Sequence, residues 1–266
     1  MNSTLLSREK AEQYLDELLE AELNHDYQLC CRRWEKEDIY ENFSEEQFAE
    51  EIKINDEHLG QYQRREYIGC EIVDGSSESY RKRFVWKTDW TLGRCVIVVG
   101  IHEHEEVVYL NEWMYHCGEE NLCLFLLNTK PDVSPKNEAS HSLGKSIAEL
   151  VLDEMLDAEL TSNYAAWSQR WETGRRSQYT EEDFLRGIKN SLEDIGHYKS
   201  REYIGRICYE GENGKTYNYV WKSRYEKEAA IINLGIYEKD GVVYLDEFWT
   251  SWGDDHIYML LLNHQL

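Results

Sequence analysis

Proline is nearly absent from this sequence of 266 residues. The only two prolines, Pro131 and Pro135, lie in the segment 129–142, which is otherwise rich in Ser, Asn, Asp and Lys. Proline and small polar residues interrupt regular structure and are typical of connections between folded segments. We therefore predict that 129–142 is a linker with a folded segment on each side.

The cysteines do not form a recognisable disulfide or zinc pattern. There are seven of them, an odd number, and no two have the Cys-x-x-Cys spacing. Six of the seven lie before residue 124, so a bridge or metal site made from them would be missing from the second half. We interpret the thiols as small buried apolar groups in a reducing compartment.

Long apolar segments are also missing. No stretch approaches the roughly 18 to 20 apolar residues that a membrane-spanning helix needs, and the first residues lack the basic and apolar regions of a signal peptide. We expect a soluble, cytoplasmic protein. The sequence likewise contains no glycine-rich phosphate loop, no serine elbow and no Walker-type lysine.

Positive charge is scarce as well. The chain has 29 Lys and Arg residues against 52 Asp and Glu residues, which gives a formal net charge of −23. A field of this sign repels nucleic acid and anionic membranes and attracts basic partners. The alternative interpretation is that the charge serves solubility alone.

The sequence does contain an internal repeat. Residues 15–23, LDELLEAEL, return almost unchanged as LDEMLDAEL at 152–160, and the two copies continue in step to their ends. Self-similarity over such a length predicts two copies of one structural unit. We predict two domains, at 1–128 and 143–266, each large enough to bury a core of its own and each with a separate sheet.

Each repeat begins with a pattern of apolar side chains at helical spacing. It predicts one long amphipathic helix, over 8–34 in the first repeat, with a solvated acidic face. The apolar positions are Leu15, Leu18, Leu19 and Leu23 and, in the second repeat, Leu152, Met155, Leu156 and Leu160; the acidic positions are Asp16, Glu17, Glu20 and Glu22, matched by Asp153, Glu154, Asp157 and Glu159.

A second helix and four strands are expected next. Capping boxes at 44–47 and 180–183 mark the start of the helix, and Gly60 and Gly196 stand where a left-handed residue ends it. Segments of alternating apolar and polar residues, separated by the hairpin-forming pairs Asp-Gly and Asn-Gly, then predict an antiparallel meander.

The apolar run that closes each repeat, within 118–128 and 253–263, fits a fifth strand or a buried helix. We favour the helix, because an acidic pair stands before it.

Two sets of residues that recur in both repeats point to the core. Trp86 and Trp221 lie on the aromatic side of a strand whose other side carries lysine, which predicts buried tryptophans. The recurring arginines predict ion pairs, or stacking on Trp86 or Trp221. These arginines are Arg33, Arg65, Arg170 and Arg201.

The order helix, helix and four antiparallel strands, with Asp26-Tyr27 or Asn163-Tyr164 inside the first helix, resembles the NTF2-like or cystatin-like superfamily. The resemblance implies an α+β fold in which a curved sheet wraps around a long helix, here twice in tandem. The superfamily includes isomerases, dehydratases, transport factors, assembly domains and immunity proteins that neutralise bacterial toxins, so the fold does not decide the function.

Candidate chemical groups are few. Asp26 with Tyr27 would be the acid–base pair of an isomerase-like enzyme, but Asp26 becomes Asn163 in the second repeat, and a structural tyrosine is the favoured alternative. His102 and His104 share one face of a strand, which is half of a possible metal site or the rim of a charged hairpin. We predict no catalytic residue, no metal and no cofactor.

These observations favour a non-enzymatic acidic binding protein, specifically an immunity protein that binds and neutralises a basic toxin or effector domain. The alternatives are a ligand-binding or isomerase-like protein that uses the cone of one repeat, and a scaffold or oligomerisation module. The expected partner-binding residues are acidic loop residues and two tryptophans at a strand end: Glu103, Glu105, Glu106, Glu119, Glu120, Trp249, Trp252, Asp254 and Asp255.

Overall fold

The chain forms two compact units. The computed structural model describes residues 5–35, 43–73, 81–118, 121–128, 143–211, 214–253 and 256–264. Unit 1 comprises Met1–Leu124 and Asp255–His264, and unit 2 comprises Phe125–Asp254 with Gln265–Leu266. The predicted linker 129–142 lies outside the described residues.

The helices that begin the described part of unit 1 are α1 (Arg8–Asn24), α2 (Tyr27–Cys31) and α3 (Glu45–His58). Its four strands form one antiparallel sheet in chain order. The strands are β1 (Tyr62–Val73), β2 (Arg81–Trp90), β3 (Arg94–His104) and β4 (Val107–Cys117). Helix α4 (Leu122–Asn128) follows, and the division between the units falls inside it.

Unit 2 repeats this order. Its helices are α5 (Lys145–Leu160), α6 (Tyr164–Ser168), the short α7 (Thr173–Arg176) and α8 (Glu181–Asp194). Its strands, again antiparallel and in chain order, are β5 (Tyr198–Gly211), β6 (Gly214–Tyr225), β7 (Ala229–Lys239) and β8 (Val242–Trp252). The last helix, α9, is Ile257–Asn263.

The predicted fold class is confirmed. The chain is α+β, with tandem four-stranded antiparallel sheets and helices, and the strands of the two repeats form separate sheets. Both predicted capping boxes are present, at 44–47 and 180–183. Gly60 and Gly196 follow their helices with φ angles of 72° and 77°, a conformation that glycine adopts without strain.

The long first helix predicted for each repeat is interrupted. Helix α1 ends at His25, which has a φ of 52°, and Asp26 then caps α2 by accepting a hydrogen bond from the Leu29 N–H. The second repeat breaks in the same way at Ser162 and Asn163. A side chain that caps a new helix competes with continuation of the old one, and this explains the break.

The predicted faces of the first helix need a related correction. Leu23 and Leu160 are 79% and 71% exposed, although they were expected on the buried face. The buried stripe of α1 runs through Leu15, Leu18 and Ala21, and residue 23 is turned about 200° away from residue 21. Glu22 follows Leu18 by four residues, so it lies beside the stripe and is half-buried, as Glu159 is in α5.

The terminal runs are helices, as favoured over a fifth strand, and their packing was not expected. Helix α9 comes from the end of the second repeat but belongs to unit 1, where it packs on β1. Leu260 covers Gly69 so closely that a Cβ there would lie 3.0 Å from its Cδ2. In unit 2 Phe125 covers Gly205 in β5 in the same manner. Each glycine stands at a bulge in its strand.

The predicted core tryptophans are confirmed. Trp86 and Trp221 are fully buried, and each contacts the ring of the tyrosine opposite it on the first strand, Tyr67 or Tyr203. Each indole belongs to the large buried cluster of its own repeat.

None of the helices in the described ranges is long and apolar enough to cross a membrane.

Candidate ligand cavity in the second unit

A cavity in unit 2 lies next to Glu159, in the last turn of α5. Helix α5 ends at Leu160, and Ser162 turns the chain into α6 with a φ of 52°. Residues of α5, α6, α8 and β8 line a space of about 360 Å³. Six aromatic side chains line it: Trp167, Tyr179, Phe184, Phe248, Trp249 and Trp252.

A smaller space of about 120 Å³ lies beside the first. Glu159, Ile188 and Ser191 line both spaces, so the carboxyl group faces a divided cavity. Tyr198 and Tyr225 from the first two strands line the smaller part.

Burial sets the electrostatics of this site. It raises the pKa of Glu159 from the ordinary 4.5 to about 7. Burial also raises the pKa of Tyr225 to about 12. Among the described residues, no cation and no hydrogen-bond donor is paired with the Glu159 carboxylate. The group can therefore exchange a proton near neutral pH or carry a charge that the protein does not neutralise.

The equivalent position in unit 1 is arranged differently. Glu22 also has a pKa raised to about 7 by burial. Its carboxylate, however, accepts hydrogen bonds from the Tyr115 hydroxyl at 2.7 Å and from the Asn55 amide at 3.0 Å. The residues at these two places in unit 2 are Thr250 and Ser191, whose shorter side chains line the cavity. The second repeat therefore has the acid without the two side chains that donate hydrogen bonds to it in the first.

Two of the residues expected to bind a partner belong to this cavity. Trp249 and Trp252 line it, and the Trp249 indole N–H lies 3.3 Å from a Glu247 carboxylate oxygen. The sequence interpretation placed them at a strand end as anchors for a protein interface. The structure brings them together with Glu159, which that interpretation assigned to a solvated face.

The expected acidic residues lie elsewhere. Glu105 and Glu106 form the turn between β3 and β4, both exposed and both with positive φ angles, while Glu103 is half-buried. Consecutive left-handed residues are typical of a two-residue hairpin turn. The other four expected acids lie outside the described residues: Glu119, Glu120, Asp254 and Asp255.

The Asp26-Tyr27 pair has a structural role. Asp26 caps α2, and the Tyr27 hydroxyl donates to the Phe43 carbonyl at 2.7 Å while its ring packs against Phe48. The two groups are therefore engaged in holding the chain between α1 and α3.

His102 and His104 both approach Glu35. The His102 Nε2 lies 3.4 Å from one carboxylate oxygen, and His104 Nδ1 pairs with the other. These contacts lower the pKa of Glu35, mainly through the hydrogen bond with His104. Within the described ranges, no group of three or more His, Cys, Asp or Glu side chains is placed to hold a metal ion.

The recurring arginines form ion pairs with the first helix of their own unit. Arg33 pairs with Glu17 at 2.7 Å, and its guanidinium lies 5.0 Å from the centre of the Tyr14 ring. Arg65, Arg170 and Arg201 make the corresponding pairs with Asp16, Glu154 and Asp153. The predicted ion pairs are confirmed, and the stacking partner of Arg33 is Tyr14, whereas a tryptophan was the expected one.

No protein-family model matches the sequence, and no curated protein matches it. Among solved structures, the chain is similar to a cystatin-like protein from Ruminococcus gnavus ATCC 29149, with 10% identity over 92% of each chain and a TM-score of 0.26. A similarity at this identity and TM-score does not indicate a function.

Proposed function

We propose that this chain is a binding protein and that unit 2 takes a small organic molecule into the cavity beside Glu159. One observation carries this proposal. The two repeats hold a half-buried acid at the same position, but only Glu22 has Tyr115 and Asn55 as partners, whereas Thr250 and Ser191 leave the place beside Glu159 open.

The size and lining of the cavity support this role. A space of about 360 Å³ is in the range of small-molecule sites, which are mostly apolar with a few polar groups that fix the ligand. The aromatic walls bury a ligand's apolar surface, and the polar groups among them are few: Glu159, Asp183, Ser191 and Thr250.

Refilling the cavity is the sharpest test. We expect the double variant Ser191→Asn/Thr250→Tyr to reproduce the arrangement around Glu22 and to abolish ligand binding without loss of stability. The probes are phenethylamine, 2-phenylethanol and phenylacetate, which share a ring and differ in charge. Binding is followed by quenching of tryptophan fluorescence, and at least one probe should bind the wild type saturably, at millimolar concentration or below.

The reverse replacement in unit 1, Asn55→Ser/Tyr115→Thr, is the matched control, because it changes the same residue types at the other acid. Equal binding by the wild type and the refilled variant, with both cooperatively folded, would contradict the proposal.

A second function, binding of a basic protein and neutralisation of a toxin, is favoured by the surface charge. In the described part of the chain many arginines are paired with acids of the same chain, so the excess of 52 acidic over 29 basic residues stays available to a partner. The exposed turn at Glu105 and Glu106 is one described place where acids stand together. A protein with this second function would be an immunity protein.

The acidic turn gives the test of this second function. A partner is first isolated by co-purification from the native host, and its association rate is then measured at rising ionic strength. We expect Glu105→Lys/Glu106→Lys to slow association roughly tenfold or more at low salt, because attraction between unlike charges steers the encounter. Glu50→Lys/Glu57→Lys on α3 changes the net charge equally and is the control. Identical rates for the three proteins, with no effect of salt, would rule this surface out.

A further inference from the structure

We propose that the cavity of unit 2 selects an organic cation, a small amine or ammonium compound with an aromatic or apolar body, and that the Glu159 carboxylate is its counter-ion. This inference rests on the small-molecule function proposed above and gives that site its ligand class.

The first argument is the charge balance of the site. Glu159 is half-buried beside a space lined mostly by apolar side chains, and this partial loss of water raises its pKa. A carboxylate that has lost part of its hydration and has no partner in the protein is costly, and pairing it with an opposite charge recovers part of that cost. A cationic ligand gains this interaction, a neutral ligand does not, and an anionic ligand is repelled.

The second argument is the chemistry of the walls. The rings of Trp167 and Phe184 lie 5.1 Å apart between centroids, and those of Trp167 and Tyr179 lie 5.8 Å apart. The electron-rich faces of tryptophan and tyrosine attract cations, and clusters of such rings bind ammonium groups. The same walls accept the apolar body of the ligand.

Other titratable side chains also line the two spaces, and an acid among them is an alternative counter-ion for a cationic ligand. They are Tyr179, Asp183, His197, Tyr198 and Tyr225. Asp183 is the second acid among them, but its carboxylate is engaged by the Thr180 hydroxyl at 2.7 Å and by Arg186. These contacts lower the pKa of Asp183, with the Thr180 hydrogen bond the largest cause. Glu159 is thus the acid whose charge is left for a ligand.

The affinity for a cation should depend on pH, because the cation binds Glu159 in its ionised form. With a pKa of about 7, Glu159 is mostly protonated at pH 5.5 and mostly ionised at pH 8.5. A cation binds the ionised form, so its affinity should rise with pH, by up to about tenfold per pH unit below the pKa, and level off above it. Binding at pH 6 should release a proton. A neutral ligand should show neither effect.

The test is isothermal titration of the full chain with phenethylamine, 2-phenylethanol and phenylacetate at pH 6 and pH 8.5, in buffers of different ionisation enthalpy. We expect phenethylamine to bind at least about tenfold more tightly than 2-phenylethanol at pH 8.5, as charge-assisted contacts imply. Phenylacetate should bind most weakly. Glu159→Gln keeps the shape and should remove both the preference and the proton release, whereas Glu22→Gln in unit 1 should leave them intact.

The outcomes separate the two proposals. If 2-phenylethanol binds as well as phenethylamine at both pH values, or Glu159→Gln keeps the preference, the cation inference is wrong and the small-molecule function stands. If none of the three probes binds at millimolar concentration, both are wrong. Should Glu159→Gln fail to fold, the pH dependence and the proton release of the wild type still decide the matter.

Discussion

Replacing Trp221 with alanine should lower the free energy of unfolding of unit 2 by about 3 to 5 kcal/mol, and Trp86→Ala should do the same in unit 1. Both indoles are fully buried. Trp86 packs on Tyr67 at 5.8 Å and Trp221 on Tyr203 at 5.9 Å, measured between ring centroids. Removing either ring loses the transfer free energy of a large apolar group and leaves a cavity that the strands cannot close.

Thermal and denaturant unfolding of the full chain measures this effect. The matched variants Trp86→Phe and Trp221→Phe should cost much less, because they keep a ring. In the described part of the chain neither indole N–H has a hydrogen-bond partner to lose. Leu92→Ala is the surface control, since Leu92 is 66% exposed and such changes stay within about 0.5 kcal/mol. Alanine variants as stable as the wild type would show that the indoles do not hold the cores.

The sequence alone predicted those features that depend on residues close together in the chain. The capping boxes at 44–47 and 180–183 and the left-handed glycines depend on neighbours within one turn, so their residue types identify them. The strands and their buried tryptophans follow from alternation along a single segment. The two repeats carry the same patterns at these positions although many of their residues differ.

The faces of the first helix show where apolar pattern alone misleads. The spacing pointed to Leu23 and Leu160 as core residues and to Glu22 and Glu159 as part of a solvated face. In the structure the acids are half-buried beside the buried stripe, whereas the leucines are exposed. The helix break at Asp26 ends the stripe earlier than the sequence pattern suggests.

The cavity was not predictable because it depends on residues from separate elements. Glu159, Ser191 and Thr250 come from α5, α8 and β8 and meet only in the folded unit. A signal was nevertheless present in the aligned repeats, where an acid is conserved between the copies while Asn55 becomes Ser191 and Tyr115 becomes Thr250. The contacts in the folded units show what this difference means: the two side chains that donate hydrogen bonds to Glu22 have no counterpart beside Glu159.

The second large effect concerns α9, the helix that belongs to unit 1 although the sequence predicted it as the end of the repeat 143–266. Leu261 is fully buried in this helix, and Leu260 beside it covers Gly69 of β1. We expect Leu261→Ala to destabilise unit 1 by about 2 to 5 kcal/mol, the usual cost of removing a buried leucine side chain. Unit 2 should be much less affected.

Hydrogen exchange followed by peptide can locate the loss. In Leu261→Ala the amides of β1 should exchange faster, while those of β5 keep their protection. Leu126→Ala is the matched variant, because Leu126 is fully buried at the equivalent place in α4, in the part assigned to unit 2. It should loosen β5 and spare β1. If Leu261→Ala instead loosens β5 to β8 and leaves β1 protected, each repeat is closed by its own last helix and the predicted boundary at 143–266 describes an independent domain.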